Sequence, residues 1–430
     1  MAILKAVRGT RDLLPPETAL WNQVEATARA VFSRYGFGEI RTPIFESTEL
    51  FARGVGEETD IVSKEMYTWE DRSRAESEKG QSLTLRPENT AGVVRAYIEH
   101  KLGDAGQLQK LYYIGPQFRR ERPQRGRYRQ FWQIGAEVIG PASSGSESPL
   151  RDAEVLEMLA TFLNELGIRN WRLALNSVGS ASDRARYSVA LREALASVRH
   201  MMCEDNQRRS ETNPLRVLDS KDPNDQELIN ALPKIADYLD DDSRDHFAQV
   251  KAALDACGVP YAVEPRLVRG LDYYTRTTFE FTIPDGSGLG TQNALLGGGR
   301  YDGLSEMLGG PKAPGIGFAI GEDRLILTLQ AQQEESSAPK LDAFIAPMGV
   351  GQNAASLALA RELRRAGLSV EVGDGSFRLK KSFEIADKLA RRIVILGEDE
   401  ASSDIFTVKD FASAEQTKVP RSELAAALRA

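Results

Sequence analysis

The stretch YIGPQFRRERPQRGRYRQFWQIGAE, residues 113–137, decides the fold of this 430-residue chain. Apolar residues at its two ends flank an arginine-rich interval, so the wider segment 108–139 predicts two strands joined by a long charged loop. We call that loop, residues 119–129, the arginine tip. It holds one acid, Glu121, for a local charge of six minus one, or +5. Its arginines are Arg119, Arg120, Arg122, Arg125, Arg127 and Arg129.

The charge of the arginine tip indicates an anionic partner. Guanidinium groups match phosphate oxygens bidentately, so the natural ligand is a nucleotide phosphate, a nucleic-acid backbone or both. A solvated loop paired with acids elsewhere would have the same composition. The strand that follows favours the first interpretation, because alternation places Gln133, Gly135 and Glu137 on one face. An amide and a carboxylate beside a glycine are typical of a substrate cleft floored by a sheet.

Composition restricts the class of protein. The chain has 62 acidic and 55 basic residues, a net charge of -7, which argues against a surface wrapped entirely by nucleic acid. With 41% hydrophobic and 27% charged residues it is neither collagen-like nor disordered. Dispersed cysteines and histidines argue against structural zinc, haem or a disulfide framework. These residues are Cys203, Cys257, His100, His200 and His246.

The order of helical and strand signals predicts an α+β protein. Residues 1–330 are expected to form the first domain. Within it, Asp152 is expected to cap a helix, and residues from about 181 to 260 are expected to form a helical insertion. Residues 331–340 are a polar linker. Residues 341–430 alternate strand and helix, which indicates a small α/β domain. No apolar stretch approaches the roughly 18 residues of a membrane span, and we expect a cytoplasmic protein.

The segment TLRPENTAG, residues 84–92, places three polar side chains after a short strand. Arg86, Glu88 and Thr90 lie close together in sequence, and Pro87 could start a helix at its first position. Glu88 fits a first-turn helix carboxylate and a ligand-binding group equally well.

The segment LVRGLDYYTRTTFEF, residues 267–281, reads as a strand with unusually many polar side chains. A purely structural strand would alternate more cleanly, so its arginines and tyrosines favour a polar pocket over core packing. The structural alternative makes Arg269 the buried ion-pair partner of Asp272.

Two glycine-rich segments follow. GIGFAIG, residues 315–321, superficially matches a dinucleotide fingerprint, but no second strand and helix follow it, and no phosphate-binding GxxxxGK[ST] is present. The glycines of 297–304 and 315–321 instead let a flat ring lie against bare backbone. Arg324 opens the next helix, where its guanidinium could stack on that ring.

Together these segments resemble a known family. IRTPIFE (40–46), residues 113–137 and GIGFAIGEDRL (315–325) resemble motifs 1, 2 and 3 of class II aminoacyl-tRNA synthetases. Residues 267–281 and GGGRYDGL (297–304) are similar to those of the histidyl-tRNA synthetase family within that class. The resemblance covers nearly the whole chain. It implies an antiparallel-sheet catalytic domain with a helical insertion, a C-terminal anticodon-binding domain and a homodimer formed through motif 1.

The resemblance also implies a site for each small substrate. The residues expected to bind histidine are Glu88, Thr90 and Gln133 at the ammonium group, Glu137 and Tyr274 at the imidazole, and Tyr273 along the wall. The residues expected to bind ATP are Arg119 and Arg269 at the α-phosphate and Arg324 at the adenine face and outer phosphates. Mg²⁺ would accompany ATP, and no protein metal ligand is expected. Asn89 and Trp132 depart from the family, where glycine and histidine are frequent.

The implied enzyme is an aminoacyl-tRNA ligase. It would convert L-histidine and ATP to histidyl-adenylate and transfer the histidine to tRNA(His). The alternative is a non-catalytic, histidine-sensing regulatory subunit of ATP phosphoribosyltransferase, which lacks the anticodon domain. Here 341–430 carry a basic patch that tRNA could use, although a solvated helix face would look similar. The patch is Arg378, Lys380, Lys381, Lys388, Arg391 and Arg392 against Glu384 and Asp387, or six minus two, +4.

Overall fold

The computed structural model describes residues 3–56, 59–71, 80–268, 273–284, 293–332 and 340–429. The chain divides into two compact units, residues 1–334 and 335–430, which are described separately below.

The first unit contains strands and helices in mixed order. Its strands are β1 (Gly38–Glu39), β2 (Phe45–Ser47), β3 (Tyr67–Asp71), β4 (Gln81–Leu85), β5 (Gln109–Phe118), β6 (Gln130–Ile139), β7 (Arg172–Ser177), β8 (Ala262–Val263), β9 (Thr275–Thr282), β10 (Ala294–Arg300) and β11 (Gly315–Gly321). Its helices are α1 (Glu17–Arg34), α2 (Thr48–Val55), α3 (Thr90–Glu99), α4 (Pro149–Glu165), α5 (Ala181–Val198), α6 (Glu204–Thr212), α7 (Leu215–Leu218), α8 (Gln226–Asn230), α9 (Asp241–Cys257), α10 (Leu304–Met307) and α11 (Glu322–Gln332).

Eight strands form the main sheet in the order β1-β5-β6-β11-β10-β9-β7-β8. The six central strands are antiparallel to one another, and the short end strands β1 and β8 pair in parallel with β5 and β7. The predicted α+β class with an antiparallel sheet is therefore confirmed. A separate three-stranded sheet, β2-β4-β3, precedes α3.

Strands β5 and β6 form the hairpin that the arginine tip predicts. Their register runs from Gln109 opposite Ile139 to Phe118 opposite Gln130. The hairpin continues by one further backbone hydrogen bond, from Arg119 N to Arg129 O at 3.0 Å. Beyond it the eleven-residue tip lacks apolar alternation, and the regular ladder ends.

One face of the main sheet is covered by helices α1 and α4. Ile134, Ala136 and Val138 of β6 point into this core. Phe32 of α1 lies at its centre, with ring centroids 5.6 Å from those of both Tyr112 and Phe162. Because side chains alternate along a strand, Gln133, Gly135 and Glu137 face the other side of the sheet. That opposite face carries the candidate site.

Helices α5 to α8 form the helical insertion, which has its own apolar cluster around Tyr187, Leu191 and Val217. Helix α9 returns to pack on α4.

The prediction that Asp152 caps a helix is wrong. Helix α4 begins at Pro149, and the side chain of Ser148 accepts the Leu150 N–H at 3.3 Å. Asp152 lies inside the first turn and is fully buried, where it binds Arg300 at 2.5 Å and His246 at 2.8 Å. The Asp152 carboxylate therefore binds partners that are distant in sequence instead of the helix N-terminus.

The second unit is a five-stranded sheet with helices. Its strands are β12 (Leu341–Pro347), β13 (Val370–Val372), β14 (Ala390–Leu396), β15 (Ile405–Asp410) and β16 (Gln416–Pro420). Its helices are α12 (Asn353–Arg365), α13 (Leu379–Leu389), α14 (Glu398–Ser403) and α15 (Arg421–Ala427). Strands β13, β12 and β14 are parallel, as strand and helix alternation predicts, and the antiparallel pair β15 and β16 extends the sheet. Of the predicted linker, residues 331 and 332 belong to α11, and 333–339 lie outside the described residues.

Candidate active site

A cavity of about 840 Å³ opens on the face of the main sheet opposite helices α1 and α4. It brings together side chains from the start of α3, from the hairpin β5–β6, from β9 to β11 and from the start of α11. The predicted site residues that line it are Glu88, Thr90, Arg119, Gln133, Tyr273, Tyr274 and Arg324. Arg269, the remaining predicted phosphate-binding residue, and Asp272 lie outside the described residues. Tyr273 and Tyr274 immediately precede β9, which begins at Thr275.

Glu88 serves the N-terminus of α3 and lines the cavity. Its two carboxylate oxygens accept the Thr90 N–H at 2.7 Å and the Ala91 N–H at 3.0 Å. Burial raises the pKa of Glu88, and these two backbone N–H groups oppose the rise. The helix starts at Thr90, so the prediction that Pro87 occupies its first position is wrong. The helix interpretation of Glu88 thus accounts for its two hydrogen bonds, and its place in the cavity wall leaves ligand binding as a prediction.

Glu137 lies directly behind the cavity wall and is fully buried. Thr90 Oγ1 donates to its Oε1 atom and Tyr301 Oη donates to its Oε2 atom, each at 2.7 Å. Burial raises the pKa of Glu137 to about 8 despite these hydrogen bonds. Gly317 stands opposite Glu137 on β11, and a Cβ atom there would overlap Glu137 Oε2. The absence of a side chain at Gly317 therefore leaves the space that the Glu137 carboxyl group occupies.

Three phenols besides Tyr274 surround this carboxyl group. The Tyr273 ring centroid lies 4.9 Å from that of Tyr274 and 6.0 Å from that of Tyr301. Burial raises the pKa values of Tyr113, Tyr273 and Tyr301 well above the ordinary value, so all three are neutral hydrogen-bonding groups. Tyr113 and Tyr301 are not among the predicted site residues. Alternation with Gly115 on β5 and the place of Tyr301 in GGGRYDGL are the signals that point to them.

Gln133 presents an amide to the same cavity. Among the described residues, no group hydrogen-bonds to its Oε1 atom, which is buried. An amide oxygen accepts hydrogen bonds, so this atom suits an ammonium group. Gln133 lines the cavity and Glu137 lies behind its wall, so the prediction that both serve one cleft stays a prediction.

Guanidinium groups gather at the other end of the cavity. Arg119 Nε donates to Pro87 O at 2.9 Å, and its guanidinium lies 5.2 Å from the centroid of the Phe131 ring. Arg127 NH1 pairs with Glu121 at 3.1 Å. Arg324 NH1 donates to Ala294 O at 2.7 Å, and burial lowers the pKa of Arg324, with Arg127 adding to the effect. This cationic end fits phosphate oxygens.

Only part of the arginine tip reaches the cavity. Arg119 and Arg127 line it, whereas Arg129 NH1 donates to Arg8 O at 3.3 Å and the Arg120 guanidinium lies 5.8 Å from the Tyr67 ring centroid. The insertion adds residues that the sequence analysis does not include. They are Arg209, Asp219 and Lys221.

The two departures from the family have separate surroundings. Asn89 lines the cavity and accepts a hydrogen bond from Thr42 Oγ1 at 2.8 Å. The Trp132 ring meets that of Trp21 edge-on at 6.4 Å on the helix-covered face of the sheet. The tryptophan is thus partly buried against the core.

Within the described ranges, no group of three or more histidine, cysteine, aspartate or glutamate side chains could hold a metal ion. None of the helices in the same ranges is both long enough and apolar enough to cross a membrane.

In the second unit, one member of the predicted basic patch, Arg392, has partners within the protein. Arg392 Nε pairs with Asp410 at 2.9 Å, and its NH1 donates to Leu428 O at 3.0 Å. Arg392 therefore holds β14 to its neighbours. The Lys381 ammonium lies 4.0 Å from the Phe377 ring centroid, which leaves a cation and an aromatic ring side by side at the start of α13.

Comparison with known proteins identifies the family. The model of the family described as Histidyl-tRNA synthetase matches residues 9–325, and that of the Anticodon binding domain matches residues 342–430. The chain belongs to the histidyl-tRNA synthetase family. Among curated relatives in this histidyl-tRNA synthetase family, a Histidine--tRNA ligase of Koribacter versatilis is 68% identical over 428 residues, 99% of this chain and 96% of that protein.

Another relative, a Histidine--tRNA ligase of Solibacter usitatus, is 54% identical, covering 100% of this chain and 99% of its own. The solved apo histidyl-tRNA synthetase of S. aureus is 37% identical with a TM-score of 0.80 and covers 100% of both chains. The histidyl-tRNA synthetase fold thus extends over the entire chain.

Proposed function

We propose that this protein activates L-histidine with ATP to give histidyl-adenylate and pyrophosphate, and then transfers the histidine to tRNA(His). The observation that carries the proposal is a cavity with arginines along its wall and the buried carboxyl group of Glu137 directly behind that wall. Glu137 can recognise a nitrogen heterocycle, and Arg119 and Arg324 can hold a triphosphate. Family membership supports the same activity.

The amino-acid end of the cavity suits histidine. Glu137 and Tyr274 would contact the two imidazole nitrogens, while Glu88, Thr90 and Gln133 would hold the ammonium group. The buried Oε1 atom of Gln133 and the carboxylate of Glu88 supply acceptors for that cation. Tyr273 would close the wall beside the ring.

The nucleotide end would hold ATP for in-line attack. The histidine carboxylate attacks the α-phosphorus, the bond to the bridging oxygen breaks, and pyrophosphate leaves. No side-chain nucleophile is needed, so positioning and charge stabilisation supply the catalysis. Arg119 and Arg269 would stabilise the α-phosphate, and Arg324 would hold the adenine face and the outer phosphates.

Mg²⁺, a homodimer and a cytoplasmic location belong to the proposal as well, and the family supports them. The cavity wall includes the carboxylates of Glu121 and Glu280, and oxygen ligands suit Mg²⁺. When bound with ATP, Mg²⁺ neutralises the outer phosphates. The chain itself contributes donors that orient the nucleotide.

The regulatory-subunit alternative is less supported. A solved protein of Bacillus halodurans, titled as an ATP phosphoribosyltransferase regulatory subunit/histidyl-tRNA synthetase, is 19% identical with a TM-score of 0.65, which shows a shared fold only. This chain retains the anticodon-binding region, and its cavity keeps the predicted arginines 119 and 324.

Amino-acid-dependent ATP–pyrophosphate exchange tests the proposal. The purified full chain is incubated with ATP, Mg²⁺, labelled pyrophosphate and each of the twenty amino acids in turn, without tRNA. We expect exchange with histidine alone. Exchange with proline or threonine and not with histidine would contradict the pocket assignment, and no exchange with any amino acid would favour the regulatory alternative.

A further inference from the structure

The N-terminal segment, residues 8–12, packs against the arginine tip. Arg129 N donates to Gly9 O at 2.7 Å. Gly9 has a φ of +90°, and a Cβ atom there would lie 2.8 Å from side-chain atoms of Pro123 and Arg129. Glycine is therefore required for this close approach. The segment thus forms part of the support of the tip that borders the nucleotide end of the cavity.

Within this segment, Arg11 joins three elements. Its NH1 atom pairs with Glu17 at the start of α1, and its NH2 atom pairs with Asp323 of α11, each at 2.9 Å. Its guanidinium also lies 4.7 Å from the centroid of the Tyr128 ring in the arginine tip. A planar guanidinium can satisfy two carboxylates and stack on a ring at once, whereas an ammonium cannot.

Both residues that Arg11 orients toward the cavity lie at its nucleotide end. Tyr128 and Asp323 line the cavity beside Arg127 and Arg324. The second oxygen of Asp323 accepts the Trp132 N–H at 3.2 Å, so the carboxylate also ties α11 to β6. Burial raises the pKa of Asp323, and Arg11 opposes that rise. Without Arg11, this carboxylate would lose its ion-pair partner and the Tyr128 ring its cation.

We propose that Arg11 is a positioning residue for ATP. It holds the Tyr128 ring and the Asp323 carboxylate in the geometry that the nucleotide meets, without itself lining the cavity. Its loss therefore weakens binding of ATP and leaves binding of histidine unchanged, because Glu137 is held by Thr90 and Tyr301 and not by Arg11. The inference rests on the proposed function and concerns its nucleotide site.

Pyrophosphate exchange with the full chain tests this role. In Arg11→Gln, the KM for ATP should rise about tenfold, equivalent to about 1.4 kcal/mol, while the KM for histidine and kcat change less than about twofold. Arg11→Lys should recover part of the affinity, because it retains charge but lacks the fork. The matched control is Arg34→Gln, which removes a guanidinium paired with Glu165 at the exposed end of α1. Its constants should equal those of the wild type.

A double-mutant cycle tests whether Arg11 acts through the tyrosine ring. Tyr128→Leu alone should raise the KM for ATP, and adding Arg11→Gln should raise it by less than the product of the two single effects. Equal rises in both KM values, strict independence of the two substitutions, or a lowered melting temperature with normal KM values would each overturn the positioning role. Absence of exchange in the wild type would instead refute the proposed function.

Discussion

Replacing Glu137 by glutamine should change how the stability of the first unit depends on pH. Burial raises the pKa of Glu137 to about 8 from an ordinary value of 4.5. The folded chain therefore keeps a proton on this side chain through a pH range in which the unfolded chain has released it. The free energy of unfolding falls as pH rises through that range, from above pH 4.5 to about pH 8. Glutamine has the shape of the protonated acid and does not titrate.

The size of the effect follows from the two pKa values. One pKa unit corresponds to about 1.36 kcal/mol. Between pH 5 and pH 8 the carboxyl group stays mostly protonated in the folded chain, whereas it is ionised in the unfolded chain. Relative to the wild type, Glu137→Gln should therefore gain about 3 kcal/mol of stability as the pH is raised from about 5 to about 8. Glu322, whose pKa burial raises to about 9, is present in both proteins, so its contribution cancels in the difference.

Urea unfolding followed by tryptophan fluorescence measures this difference without interference from the second unit. All four tryptophans, Trp21, Trp69, Trp132 and Trp171, belong to the first unit. Wild type and variant are unfolded at both pH values without ligands. Glu49→Gln, a substitution of an exposed carboxylate on α2, is the control and should show no such gain. A stability difference for Glu137→Gln that is the same at both pH values would refute the reasoning, since Glu137 would then be ionised in the folded protein.

Two further predictions concern catalysis and domain roles. Arg269→Ala should lower kcat for exchange by about 10² to 10³ and change the KM for histidine much less, because a preorganised donor to the α-phosphate is lost. A normal kcat with a lowered melting temperature would instead indicate a structural ion pair, such as one with Asp272. A chain ended at Glu334 should retain pyrophosphate exchange, because every described cavity residue precedes Glu334. The same chain should charge tRNA poorly. Full charging would exclude a role of residues 341–430 in tRNA binding.

Local sequence patterns predict the parts of the fold that depend on neighbouring residues. The arginine tip interrupts two apolar strands, so the hairpin β5–β6 could be located before its partners were known. The same holds for β12, α12 and β13, where strand and helix periods alternate over a short distance. Within the site, alternation alone brings Gln133 and Glu137 to one face, and the family resemblance adds the residues from other segments.

Contacts between distant segments are the part that local patterns do not contain. Asp152 precedes a helical period and so looks like a cap, but its partner Arg300 is 148 residues away. Arg11 and Asp323 are separated by 312 residues, and no local sequence pattern predicts their contact. Tyr301 lies two residues beyond three glycines that suggest backbone proximity. Its hydrogen bond to Glu137, however, exists only because β10 and β6 both flank β11.

If Glu137 contacts the imidazole as proposed, the burial that raises its pKa would also favour histidine. An imidazole has an ordinary pKa near 6.5, so at neutral pH a neutral ring would meet a carboxyl group that still carries its proton. The carboxyl group can then donate to a ring nitrogen, and no net charge is buried. An amino acid without an acceptor at that position would not form this hydrogen bond. Such a bond contributes about 0.5 to 1.5 kcal/mol, and its absence adds to the loss of every other hydrogen bond to the ring. Selection of this kind needs no second, editing site, because the buried polar groups themselves reject the wrong side chain.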